Sequence, residues 1–149
     1  VSEARHGEPL MENHVYVAPG GRHLGLAAGT NGATRIAVTD HAPVHGVRPA
    51  ADVLFRSVAE HFGPSAVGVV LTGMGRDGTD GLRLMRHAGA FGIVQDEASS
   101  TVYGMPKTAL GVAGADAVVS LPAMAQAITT ALATRLPRRD VTLPPSSWS

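Results

Sequence analysis

The chain has no cysteine among its 149 residues. That excludes disulfides, thiolate nucleophiles and thiolate-bound metals, and it fits a reducing compartment. Aromatic residues are scarce, at 4% against 44% hydrophobic residues, so a core must be built from aliphatic side chains and alanine. Net charge is lacking as well: 12 Lys and Arg balance 12 Asp and Glu. Nothing in that balance favours nucleic acid or an anionic membrane surface. No apolar run approaches the ~18 residues that cross a bilayer, and the opening VSEARHGEPL lacks the apolar centre of a signal peptide. The expected location is cytoplasmic. Val1 stands where a native start would carry Met and reads as an edge or an internal cut.

What is present is organised around Val67–Gly81, VGVVLTGMGRDGTDG. Val67, Val69, Val70 and Leu71 form a short β-branched run that suits a strand buried on both faces. Gly73, Gly75 and Gly78 then allow a sharp turn. Leu82, Met85 and Gly89 follow at helical spacing, and Phe91–Val94 is a second apolar run ending in Gln95, Asp96 and Glu97. Strand, turn, helix and strand make a βαβ unit, and ligand or catalytic groups collect in loops at the carboxyl ends of such strands. Asp77 lies in that kind of loop.

Upstream, Val1–Asn13 reads as irregular. Val15–Thr39 reads as an antiparallel ribbon with strands at His14–Ala18, His23–Ala27 and Thr34–Thr39, and Asn31-Gly32 marks a hairpin turn. Ala50–Phe62 reads as an amphipathic helix with Ala51, Leu54, Phe55, Val58 and Phe62 in one stripe, stopped by Gly63-Pro64. Downstream, Pro106–Ala113 is a short helix, Ala117–Leu121 a strand, and Pro122–Thr134 a helix with Met124, Ala127, Ile128 and Ala131 facing inward. Pro137–Ser149 reads as a disordered tail, leaving one domain over residues 1–136. The expected class is α/β, doubly wound, with a mainly parallel sheet, flanking helices and an antiparallel β-ribbon near the N-terminus. About three parallel strands are visible where a sheet usually has roughly 4–6, so the sheet looks incomplete on its N-terminal side.

The glycine loop admits three readings. Gly73-Met74-Gly75-Arg76-Asp77-Gly78 matches G-x-G-x-x-G between a strand and a helix, with Asp96 about 20 residues on, the outline of a dinucleotide-binding fingerprint. An Asp inside the phosphate-facing turn opposes that reading, since it would repel a pyrophosphate. Asp77 can instead cap the helix that follows. With Thr79 or Asp80 as the cap, Asp77 is left for another role.

Longer motifs carry a resemblance. LTGMGRDGTDGLRLMRHAGAFGIVQDEASSTVYGMPKTAL, VYVAPGGRHL, GVRPAADVLFRSVAEHFG and GADAVVSLPAMAQAI resemble the C-terminal catalytic domain of bacterial chemotaxis protein-glutamate methylesterases over nearly all of Glu3–Leu132. Ala50 departs from the pattern, where the family commonly has Ser after Arg-Pro. The resemblance implies hydrolysis of glutamate methyl esters on methyl-accepting chemoreceptors, with glutamine deamidation in some members, by Ser, His and Asp. It implies that Asp77 orients the catalytic His and that the Met74 backbone N–H meets the oxyanion, roles that fit the chemistry of such triads. It also implies a regulatory receiver domain in full-length relatives.

The other two triad members find no counterpart. There is no S-T-G-G turn, no G-x-S-x-G elbow and no His after an upstream apolar run, while Ser2, Ser57, Ser65, Ser99 and Ser100 stand beside no recognisable base. The expectation is an incomplete methylesterase domain, inactive alone and prone to homo-oligomerise through an uncovered sheet edge, with a non-catalytic receptor-binding module as the alternative. Arg22, Arg48 and Tyr103 flank element ends; Arg48 and Tyr103 are candidates for substrate binding. No metal site and no cofactor are expected: His41 and His45 are separated by Pro43, and no H-E-x-x-H occurs. His23, His41 and His45 read as loop histidines near the cleft, and His61 and His87 as solvated.

Overall fold

Two short strands open the chain and pair in parallel, β1 (Ser2–Glu3) and β2 (Tyr16–Val17). This corrects the sequence reading twice: Val1–Asn13 is not wholly irregular, and Tyr16–Val17 is not part of the antiparallel ribbon. The strand expected at His14–Ala18 is present as Tyr16–Val17, while its partner Ser2–Glu3 is too short to carry a readable period. The pairing is made by the backbone, the Ser2 N–H donating to the Val15 carbonyl and the Ala4 N–H to the Val17 carbonyl. The Tyr16 hydroxyl ties down the loop between them, donating to the Pro9 carbonyl and accepting from the Met11 N–H. The ribbon proper is β3 (His23–Ala28) and β4 (Thr34–Thr39), antiparallel from His23↔Thr39 to Ala28↔Thr34. Its turn holds Gly32 at a φ of 73°, as the Asn31-Gly32 signal predicts. Leu24, Ile36 and Val38 point inward, and with Ala4 they form one core.

The computed structural model describes residues 1–135; the expected tail at Pro137–Ser149 lies outside the described residues. After the ribbon come α1 (Ala51–His61) and a 3-10 turn at Gly63–Ser65. Then follow β5 (Val67–Val70), α2 (Thr79–His87), β6 (Phe91–Gln95), α3 (Gly104–Val112), β7 (Ala117–Val119) and α4 (Met124–Arg135). The three strands are parallel in the order β5-β6-β7. Side chains alternate across the sheet as the two-residue period requires. Val70 and Val94 pack with Leu82 of α2 and Ala109 of α3. On the opposite face Phe91 and Ala117 line a cleft with Ala127 and Ala131 of α4, which packs on β5. Helices therefore cover both faces, which is the doubly wound arrangement.

α1 joins the two halves. Leu54 packs on the ribbon core, while Phe55 and Val58 pack toward α2. Ser57 fastens the same helix to β3: its hydroxyl donates to the Leu54 carbonyl and accepts the Leu26 N–H. The apolar stripe is thus split between two partners, and the residue of α1 that is buried is Asp52. Gly89, placed on the apolar face by spacing, instead ends α2. It takes a φ of 94°, and the Gly89 and Ala90 N–H groups bond back to the Arg86 and Met85 carbonyls, the Schellman arrangement.

Candidate active site

The loop between β5 and α2 is pinned from three sides. The Thr72 N–H donates to the buried Gln95 side-chain oxygen at 2.8 Å, and the Thr72 hydroxyl donates to the Val102 carbonyl. Gly73 donates to the same carbonyl, and the Met105 N–H donates to the Gly73 carbonyl. Gly104 packs closely on this loop: a Cβ there would lie 3.2 Å from the Gly73 oxygen, tight enough that the loop backbone would have to shift by a few tenths of an ångström. Met74 therefore stands at the apex of a fixed loop, its side chain exposed. Among the described residues its N–H donates to no protein acceptor.

The other end of the loop meets α1. Ala50 at the N-cap of α1 supplies no side-chain acceptor, so the orphan donors of that helix are met from elsewhere. Asp77 Oδ2 accepts the Ala51 N–H at 2.7 Å, and Asp77 Oδ1 accepts the Asp52 N–H at 3.0 Å. The return is made by Asp52: its Oδ1 accepts the Gly78 N–H at 3.1 Å and the Gly81 N–H at 2.8 Å, closing the start of α2. Each helix is capped by a carboxylate that comes from the other's entrance. Asp77 caps α1, and its Oδ1 also accepts the Gly78 N–H at 2.9 Å at the entrance of α2; neither Thr79 nor Asp80 caps α2. The exchange requires close approach, which Gly81 allows: a Cβ there would lie 2.6 Å from the Phe55 Cβ.

Charge at this junction is unevenly compensated. Burial pushes the Asp52 carboxyl up from its ordinary value, and the neighbouring Asp77 and Asp80 charges push the same way against the Gly81 and Gly78 hydrogen bonds. Asp80 is held below its ordinary value, chiefly by the hydrogen bond to His45, with Arg76 adding to it. His45 Nε2 lies 3.1 Å from Asp80 Oδ2 and 3.7 Å from Asp52 Oδ2. Three carboxylates thus surround the start of α2, and the Gly78 and Gly81 N–H groups are already occupied. A pyrophosphate would find its donors taken and negative charge in front of it, which opposes the dinucleotide reading.

The remaining candidates fall around this loop. Arg48 lies just before α1, and its guanidinium donates to the Asp40 and His41 carbonyls. Tyr103 is the N-cap residue of α3, next to the Gly73–Met74 backbone. Arg22 pairs with Asp40 at 2.8 Å. His23 is fully buried: Nδ1 accepts the Ala50 N–H, so Nε2 carries the proton and donates to the Ala42 carbonyl. Among the described residues, no serine or histidine side chain hydrogen-bonds to Asp77. The sequence reading missed Asp52 and read His45 only as a loop histidine near the cleft. Asp52 did carry a signal, an acidic residue in the first turn of a helix, but its partners are distant in sequence.

A family model described as CheB methylesterase matches residues 1–128. The chain belongs to that family. Two relatives are each named protein-glutamate methylesterase/protein-glutamine glutaminase. The one from Paraburkholderia xenovorans is 51% identical over 133 residues, covering 89% of this chain and 36% of the relative. The one from Myxococcus xanthus is 48% identical over 131 residues, covering 88% and 36%. The chain therefore spans little more than a third of the relatives' length. The crystal structure of the Thermotoga maritima CheB methylesterase catalytic domain matches with a TM-score of 0.82 at 34% identity, over 86% of this chain and 67% of that one. The α/β architecture of the family, with its parallel sheet and flanking helices, is the one described above. No helix among the described residues is long and apolar enough to cross a membrane.

Proposed function

We propose that this chain carries the acid end of a Ser-His-Asp site that hydrolyses glutamate methyl esters on chemoreceptor proteins, and deamidates glutamine at such sites. Asp77 is the acid and Met74 N–H an oxyanion donor. The observation that supports this most directly is the fixed carboxylate of Asp77, held by two α1 N–H groups at the carboxyl end of β5. A triad acid must hold an imidazole in one tautomer and orientation, and a carboxylate already anchored by backbone donors suits that work. Met74, on a rigid apex with an unengaged N–H, suits a donor to developing negative charge. Arg48 and Tyr103 flank the same loop and would contact the receptor segment. The serine, the histidine and any receiver domain belong to the full-length relatives, and with them the cytoplasmic setting of the reaction.

Triad members act as a unit, so an isolated acid gives little turnover. The 149-residue chain incubated with methylated receptor is expected to release no methanol above buffer. Release that Asp77→Ala abolishes would overturn this division of the site. Joined to the upstream segment of the Paraburkholderia relative, the chain is expected to gain activity, and Asp77→Asn is expected to lower kcat by about 10⁴-fold.

A further inference from the structure

We propose that His45 Nε2, Asp52 Oδ2 and Asp80 Oδ2 form a binding site for one divalent transition-metal ion of the zinc type, at the junction of α1 and α2. The three donor atoms lie within 4.8 Å of one another. Asp52 is the residue that points to a ligand. It is 8% exposed, its Oδ1 accepts two backbone N–H groups, and its Oδ2 is buried with no hydrogen-bond partner. That oxygen faces His45, at 3.7 Å, which is too long for a hydrogen bond. A buried carboxylate oxygen without a partner is costly, and a cation removes that cost directly.

The spacing suits a small tetrahedral ion. Bonds of about 2.0–2.1 Å to nitrogen and oxygen place neighbouring donors about 3.3 Å apart, and the distances from His45 Nε2, 3.1 and 3.7 Å, bracket that value. Arg76 uses Asp80 Oδ1, and Asp80 Oδ2 is engaged by His45 Nε2, a hydrogen bond that the ion would replace as Nε2 gives up its proton. One neutral imidazole and two carboxylates balance a divalent charge. The mixed nitrogen and oxygen set favours zinc-type ions over Ca²⁺ or Mg²⁺, which take oxygen shells of six or more. The fourth position would hold water.

The test is calorimetric titration of ZnCl₂ into the tag-free, chelator-treated chain, with melting curves in parallel. The expected result is one equivalent bound and a melting temperature raised by at least about 5 °C at a hundredfold excess over the dissociation constant. His45→Ala and Asp80→Asn are each expected to weaken binding at least tenfold, and His87→Ala, on the exposed face of α2, to leave it unchanged. Asp52 is left intact because it also caps α2. Millimolar Mg²⁺ is expected to give no shift, and Co²⁺ to give the visible absorption of a four-coordinate centre. Absence of one-equivalent binding, or equal binding by the His45 and Asp80 variants, would overturn the site. A Mg²⁺ shift as large as that of Zn²⁺ would overturn the ion class.

Discussion

Asp77 caps α1 and is proposed as the triad acid, and the two roles can be separated. As a cap it satisfies the Ala51 and Asp52 N–H groups, and loss of a helix cap costs about 1–2 kcal/mol. Asp77→Ala is therefore expected to lower the unfolding free energy by about that amount, measured by urea denaturation. Asp77→Asn keeps one acceptor oxygen and is expected to recover part of the loss. If Ala is as stable as the parent, the two bonds carry no net stability, and the geometry serves the site alone. The capping role was invisible in the sequence, because it spans two elements. Ala50 was visible as a departure from the family's Ser, and the structure gives it a consequence: with no hydroxyl at that N-cap, α1 depends on Asp77.

At the scale of elements, α2 is tied to β6 and β7 through Asp116. Its Oδ2 accepts the Gly92 N–H at 2.7 Å, and its carboxylate pairs with Arg86, whose Nη1 also donates to the Ala113 carbonyl. Burial acts to raise the Asp116 pKa, but the Arg86 hydrogen bond, the Gly92 N–H and the Arg86 and Arg135 charges outweigh it, leaving the carboxyl below its ordinary value of 3.8. A depressed pKa in the folded state adds stability above the unfolded value, and that stability is lost as pH falls through the folded one. Asp116→Asn is expected to destabilise the chain near neutral pH, with the gap to the parent closing in acid below 3.8. A gap that persists unchanged in strong acid would refute the electrostatic origin. The elements themselves were legible wherever one period ran long enough: α1, α2 and β6 follow from spacing. β2 was legible as the strand at His14–Ala18, but its parallel pairing with β1 was not, because β1 is two residues long and is held by backbone bonds that no side-chain pattern announces. Nor was the partition of the α1 stripe between two cores, since periodicity gives a face but not what it faces.

At the scale of the whole molecule, the sheet has an open side. Among the described residues β5 pairs only with β6, so its outer row of N–H and C=O groups has no strand partner, and Leu71 just beyond it is exposed. Such edges template association. The isolated chain is expected to form dimers or larger species by light scattering; a monomer that unfolds cooperatively would show that other parts of the chain cover this edge. The reciprocal caps have a further consequence for how the molecule opens. Neither helix entrance can loosen without stripping an acceptor from the other, so the two cannot fray independently. The amides of Ala51, Asp52, Gly78 and Gly81, far apart in the chain, then belong to one opening unit and trade their protons for deuterium with a single shared opening free energy.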